Sequence, residues 1–483
     1  MVHVTRSTGL VAPGRWHRSA WPGSGAVLLA EAAAASAGLC TATLSGSHWA
    51  AAGAALAVGA GSLLRVRGTS GSEYVADRLG GRVGMRSTTV AAPGPGGGEI
   101  GVRRADRGLT VFVRPAPSAP QLVTMSRHED AAVPLGVLVG LLRHADTPAA
   151  RIDVLLAGGR ATGEPTAPRM RYQQLLGPLQ RWATGEVLIA ITIDPVDCAA
   201  ACARRGGGPS GERRVAALVA QRTVDLLCAR GIPAVPLSPA EAAGVDPVMP
   251  ADAVPCDPAA LANGDLSGVF TGDGPGRAGI SVRPDPTGGI RIGAWRSPDD
   301  TDASARRGDH EATGPADALG SLHVPRAGCG QILGSDATGG PVAARLHGRG
   351  VRTVWAAVAD DPARQLVERA VATGARVLIV TGRPAVWQPL VSWVGSPRHL
   401  WISGWRYPQR DAGIQPSDYT VTILDGTASG VPPSADGPAG TVWRIERAGV
   451  SPVTEAEVVL SQPMPGMLTV RTAGEAATLR LVA

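Results

Sequence analysis

Two apolar stretches near the N-terminal end set the strongest constraint on this chain. Ser24 to Leu44 (SGAVLLAEAAAASAGLCTATL) and Trp49 to Leu64 (WAAAGAALAVGAGSLL) are separated by the short polar break Ser45, Gly46, Ser47, His48. A helix rises about 1.5 Å per residue, so the first stretch reaches across roughly 30 Å of hydrocarbon. The second does so when extended to Val66. So short a break permits only a tight reversal, and the expected element is a helical hairpin. Trp16 and Trp21 precede the first stretch and Trp49 opens the second, as interfacial belts do. Arg6, Arg15 and Arg18 lie before it and Arg65 and Arg67 after, with no Arg in the break. The positive-inside rule then places both termini in the cytoplasm, as a two-pass anchor in the cell inner membrane.

Both stretches are rich in Ala and Gly, and Glu31 costs about 2–3 kcal/mol at mid-bilayer. Glu31 is therefore expected to face a partner helix or a neighbouring subunit. An Ala-rich soluble hairpin is the competing reading. A cleaved signal peptide has a shorter apolar core and leaves the second stretch unexplained. Leu39, not a small residue, precedes Cys40, which argues against lipoprotein processing.

Charge supports a membrane rather than a nucleic acid. The chain has 483 residues and a formal net charge of +6, and every basic residue is Arg. Eight Arg against Glu31, Glu73 and Asp77 put +5 into residues 1–86, leaving +1 for the rest. A nucleic-acid binder carries its basic stripe on the folded domain. The length predicts two or three domains. Six Cys in such a chain exclude a disulfide-stapled miniprotein.

The remainder reads as strands alternating with helices. A hairpin spans 99–114, followed by a helix at 134–142, a strand at 152–157, a helix over Tyr172 to Trp182 and the buried strand Val187 to Ile193. A short helix carries Cys198 and Cys202, and a long one runs from Glu212 to Arg230 with Gly231 at its end. Ser238 and Glu241 form a capping box. From Val245 to about Leu322 the sequence turns rich in Gly, Pro, Asp and Ser, and only Gly289 to Trp295 reads as a strand. Order returns with a βαβ unit over 351–381, its helix capped by Asp361, and a tail of β-strands to 482.

The fold class expected is a mixed α+β and α/β cytoplasmic region, a mixed sheet with helices and a β-rich C-terminal part, anchored by the N-terminal transmembrane hairpin. The segments expected are a cytoplasmic tail 1–20, the hairpin 21–66, a juxtamembrane segment 67–98, a first α/β region 99–244, a linker 245–321 and a second α/β region 322–483.

Chemistry is sparse. The stretch Gly328 to Gly334 (GCGQILG) is neither a dinucleotide fingerprint nor a P-loop, and the Gly run 94–98 opens no helix. Cys198 and Cys202 share a helix face but have no second ligand pair for zinc, and buried thiols explain all six Cys. Asp299, Asp300 and Asp302 read as a solvated loop. Asp194 and Asp197 follow a strand, where α/β folds often hold ligands, with helix capping the plainer role for Asp194. Arg383 also follows a strand, where it could meet an anion, with a surface Arg as the default. No catalytic, cofactor-binding or metal residue is assigned, and no cofactor is expected.

The order of motifs resembles the EccE family, membrane components of type VII (ESX) secretion in actinobacteria. The double apolar segment with Arg65-Val66-Arg67-Gly68, Arg204-Arg205-Gly206-Gly207, the helix from Arg213 to Gly231 and Ala234-Val235-Pro236-Leu237-Ser238 carry the first part. Gly328–Asp336 (GCGQILGSD), Gln365 to Ala370 running into Gly374 to Ile379, and Arg383-Pro384 with Trp387 carry the second. The resemblance implies a non-enzymatic subunit that supports assembly and effector export beside EccB, the ATPase EccC and EccD, with a mycosin protease associated. It also implies the lipid bilayer as surroundings and no nucleic acid. Glu31, Trp21 and Trp49 are the interaction residues expected. A membrane-anchored α/β enzyme, such as a nucleotide-donor transferase working near Asp194 or Arg383, is the alternative.

Overall fold

The computed structural model describes residues 24–45, 47–63, 65–66, 69–70, 88–94, 97–105, 108–124, 132–164, 166–176, 182–245, 254–256, 276–297, 311–403, 416–426, 440–451 and 456–481. Trp21 and the cluster Asp299, Asp300 and Asp302 lie outside them. Helices α1 (Ser24–Ser45) and α2 (His48–Leu63) pack along each other as a hairpin. Among the described residues no helix is long and apolar enough to cross a membrane, which corrects the expected two-pass span. Helix α2 has 16 residues, a rise of only about 24 Å. Helix α1 has the length, but Ala, Ser, Gly, Thr and Glu31 dilute its Leu and Val. Strands β1 (Arg65–Val66) and β2 (Thr69–Ser70) pair antiparallel just beyond.

The first large sheet is built from β3 (Thr88–Pro93), β4 (Glu99–Ala105) and β5 (Gly108–Pro115) in meander. After the short β6 (Ala132–Pro134) and α3 (Val139–Leu142) come β7 (Ala149–Gly159), α4 (Ala167–Leu175), β8 (Thr184–Ile193) and α5 (Ala199–Arg204). Then follow α6 (Gly208–Cys228), β9 (Ala234–Pro236), α7 (Pro239–Ala243) and β10 (Val254–Pro255). Strands β11 (Gly276–Pro284), β12 (Ile290–Arg296) and β13 (Glu311–Gly314) complete it. The strand order is β10-β12-β11-β7-β8-β5-β4-β3, with β13 beside β12 and β9 beside β5. Every one of these pairings is antiparallel.

Three strands thus occupy much of 276–314, a stretch read as loop apart from 289–295. Of these, β12 matches the strand read at 289–295, while in β11 the small Gly279 and Ser281 between Ala278, Ile280 and Val282 read as loop. Gly279 is needed because a Cβ there would stand 2.5 Å from the Trp295 indole across the ladder. One face of the sheet buries Val111, Ile189, Ile191, Ile152 and Val154 with Val215, Val219 and Leu227 of α6. The opposite face sets Phe112, Ala190, Leu155 and Trp295 against Leu237 and Ala242 at α7.

In the second half, β14 (His323–Pro325) pairs with β6 and leads into β15 (Gln331–Ser335) and β16 (Pro341–Ala344). The βαβ unit is β17 (Thr353–Ala357), α8 (Asp360–Ala372) and β18 (Val377–Thr381). Helix α9 (Pro384–Val394) precedes β19 (Leu400–Ser403), β20 (Val421–Asp425), β21 (Thr441–Glu446), β22 (Val458–Ser461), β23 (Met467–Arg471) and β24 (Ala476–Arg480). The order is β16-β15-β24-β23-β22-β17-β21-β20-β18-β19. The six strands from β22 to β19 run parallel, and the pairs from β22 out to β16 are antiparallel. A mixed sheet with helices and a β-rich C-terminal part is therefore what the chain forms. Trp387 and Trp443 are fully buried at its core.

Several element boundaries differ from expectation. The stretch 134–142 divides into the end of β6, a 3-10 turn at Leu135–Leu138 and the short α3, and α6 runs Gly208–Cys228 rather than 212–230. Helix α4 begins at Ala167, with Pro168 in its first turn, and buried Trp182 leads instead into β8. At α8 the N-cap is Ala359, and Asp360 and Asp361 sit in the first turn, where they complement the helix dipole.

Candidate functional site: the cleft between the sheets

Gly328-Cys329-Gly330 threads between the two sheets. Cys329 N donates to Trp182 O at 2.9 Å and Gly330 N to Ala183 O at 2.8 Å, while Glu186 bridges Ala327. A Cβ on Gly328 would stand 2.1 Å from Ala183 O. Gly330 has φ +84°, and a Cβ there would fall 2.0 Å from the Ala344 carbonyl carbon. The glycines are thus demanded by close backbone approach. Cys329 is buried with Val123, Tyr172, Ile332 and Ala343.

Beside this crossing lies a cleft of about 250 Å³. One wall comes from the first sheet, with Arg114 on β5 and Gly185 and Glu186 on β8. The other comes from Arg326 and the segment Arg345 to Arg349, which follows β16. Arg114 pairs through Nε with Glu186 at 2.9 Å and through NH1 with Glu241 at 2.7 Å. Arg349 lies 4.0 Å from the same Glu186 oxygen. Arg345, buried, donates to Ser118 O and, at 2.9 Å, to Arg349 O. Arg326 reaches Ala116 O at 3.4 Å. His347 Nε2 meets Thr373 Oγ1 at 2.8 Å. Burial and the neighbouring Arg345 charge push the His347 pKa down to about 4, so the ring is neutral at pH 7.

A second cluster sits at the carboxyl ends of the parallel strands. Asp425, at the end of β20, is 2% exposed. It accepts from Thr381 Oγ1 at 2.6 Å, Arg383 NH2 at 2.5 Å and Trp387 Nε1 at 2.8 Å. Arg383 also reaches Asp360 at 3.1 Å, and Asp425 chiefly holds its pKa above the ordinary Arg value. The strand-end position expected for Arg383 is real, but the anions it meets are the protein's own.

The other candidate residues are dispersed. Asp194 Oδ1 accepts from Val196 N at 2.8 Å, closing a turn, and its strand lies in an antiparallel sheet with no parallel-strand crevice. The residue that enters α5 as its N-cap is Cys198, not Asp194. Cys198, Cys202, Cys256 and Cys329 are buried, whereas Cys40 and Cys228 are exposed, which corrects the reading of all six as buried. Burial pushes the Cys198 thiol up to about 12 and Cys256 to about 11, making both poor nucleophiles. No metal-binding group of His, Cys, Asp and Glu occurs among the described residues. Glu31 is exposed on α1, and Trp49 is 88% exposed on α2 with Leu39 and Leu56 also open. Sequence reasoning missed the cleft arginines altogether. Arg114 lies more than two hundred positions before Arg326 and Arg345, and only the glycines marking the crossing signal the place.

The molecule is therefore a two-sheet protein, antiparallel then mixed parallel, with an apolar helical hairpin ahead of it. Residues 182–259 match the family described as "Putative type VII ESX secretion system translocon, EccE". The match runs from Trp182 through β8, α5, α6, β9, α7 and β10, and so includes Gly185 and Glu186 of the cleft but none of its arginines. It supports involvement in a type VII secretion system. No curated protein matches the chain.

Proposed function

We propose that this protein is a structural subunit of a type VII (ESX) secretion complex, associated with the membrane and contributing to its assembly and to effector export. The match over residues 182–259 carries this reading. EccB, the ATPase EccC and EccD are the partners, with a mycosin protease in the same assembly. The helical hairpin is the docking element. Its Ala and Gly allow close helix approach, and Trp49, Leu39 and Leu56 present apolar area to a neighbour. Glu31 and Trp21 contribute from α1 and the segment before it.

The alternative, a membrane-anchored transferase using a nucleotide-linked donor near Asp194 or Arg383, gains nothing from those residues. Asp194 closes a turn, and Arg383 is occupied by Asp425 and Asp360. The test is a mild-detergent pull-down of the tagged protein from native membranes, read by native gel and mass spectrometry. Co-migration with EccB, EccC and EccD is expected, and Glu31→Leu is expected to weaken their recovery. Recovery of the protein free of all three partners would refute the assignment.

A further inference from the structure

We propose that the cleft between the two sheets binds a small anion bearing a diphosphate group. Its lining includes four guanidinium groups, Arg114, Arg326, Arg345 and Arg349, against the single carboxylate Glu186. Such an excess of one sign in a concave, partly dehydrated place concentrates counter-ions. The Arg fork matches phosphate oxygens in pairs, which an ammonium cannot do.

The residues are already held. Arg345 is anchored on the Ser118 and Arg349 carbonyls, Arg326 on Ala116, and Arg114 on Glu186 and Glu241. Little side-chain entropy remains to be lost on binding. The volume of about 250 Å³ selects a small guest, since pockets for drug-sized ligands begin near 300 Å³. Because Arg114 belongs to the first sheet and Arg345 and Arg349 follow β16 of the second, an occupant bridges both.

The experiment is calorimetric titration of the full-length protein at low ionic strength with inorganic pyrophosphate, and in a second arm with ADP. Saturable binding of pyrophosphate is expected. Arg349→Ala removes a half-exposed side chain and is expected to weaken binding about tenfold, the equivalent of one charge-assisted contact. Glu186→Gln removes the opposing carboxylate and is expected to tighten binding several-fold. Arg230→Ala, an exposed residue outside the cleft, should leave it unchanged. Binding of both ligands marks the diphosphate as part of a nucleotide, and binding of pyrophosphate alone marks a free inorganic anion; either supports the site. Absence of saturable pyrophosphate binding, or equal effects of Arg349→Ala and Arg230→Ala, overturns it.

Discussion

Asp425 is where a single residue has the most to lose. It is a buried carboxylate whose oxygens take a hydroxyl from the last residue of β18 and a guanidinium and an indole from two positions beyond it. Replacing the carboxylate leaves Arg383 with Asp360 alone and weakens three hydrogen bonds to one buried acceptor, at about 1–3 kcal/mol. Asp425→Asn should lower the urea midpoint accordingly, and a loss below about 1 kcal/mol would remove the anchoring role. Arg383 could be placed after a strand from sequence, but its partner lies 42 positions on, at the end of another strand, and no local pattern joins them. His347 makes a separate prediction. Its folded pKa of about 4 is below the ordinary 6.5, so the unfolded chain binds its proton first as pH falls. Stability is then full above pH 6.5 and declines between 6.5 and about 4, by on the order of 2–3 kcal/mol. His347→Gln should flatten that window in pH-dependent thermal melts; an unchanged slope would discount the ring.

Helix α7 shows what a local motif can settle at the scale of an element. Ser238 Oγ accepts from Glu241 N, and the Glu241 carboxylate accepts in return from Ser238 N at 3.0 Å. That carboxylate also takes Arg114, and chiefly for this reason its pKa falls to about 2 from the usual 4.5. A depressed carboxylate stabilises above pH 4.5, and its contribution fades as pH drops toward 2. Because Glu241 is partly exposed, solvent screening reduces the magnitude. Glu241→Gln should therefore lose stability at pH 7 and show a shallower acid limb below 4.5, measured by circular dichroism. Identical acid limbs would sink the idea. The capping box was legible because cap chemistry is confined to four consecutive residues. Strand β12 was legible as 289–295, but its partner β11 was not. Ala278, Ile280 and Val282 alternate only with the small Gly279 and Ser281, which read as loop, and its other neighbour β7 lies more than a hundred positions earlier. At the crossing, Gly330→Ala meets both a left-handed φ and the Ala344 backbone. A loss of 3 kcal/mol or more is expected, about the upper range for overpacking. A normal melting temperature would show that the strand can shift.

At the scale of the whole molecule, the decisive question is whether two ten-stranded sheets unfold separately, as multidomain chains often do. Their cores are distinct. Between them, however, run bonds that neither half can satisfy alone. Gly163 N donates to Ala372 O at 3.0 Å, Thr162 Oγ1 to Thr373 O at 2.7 Å and Ile332 N to Tyr172 Oη at 2.9 Å. Cys329 and Gly330 donate into the Trp182–Ala183 edge. Helix α4, born between strands of the first sheet, packs against α8 of the second. Separation would expose Tyr172, Leu176 and Ile332 to water and orphan these backbone groups, each at about 1–3 kcal/mol if it stayed buried. That sum exceeds the few kcal/mol by which independent domains commonly differ, so the sheets should melt together. Calorimetry should give one transition, and Tyr172→Ala, in the seam, should move it downward as a whole. A variant that splits the endotherm in two would mean that the seam is a contact between independent bodies. In that case an anion held by Arg114 on one side and by Arg345 and Arg349 on the other would raise both transitions and draw them together.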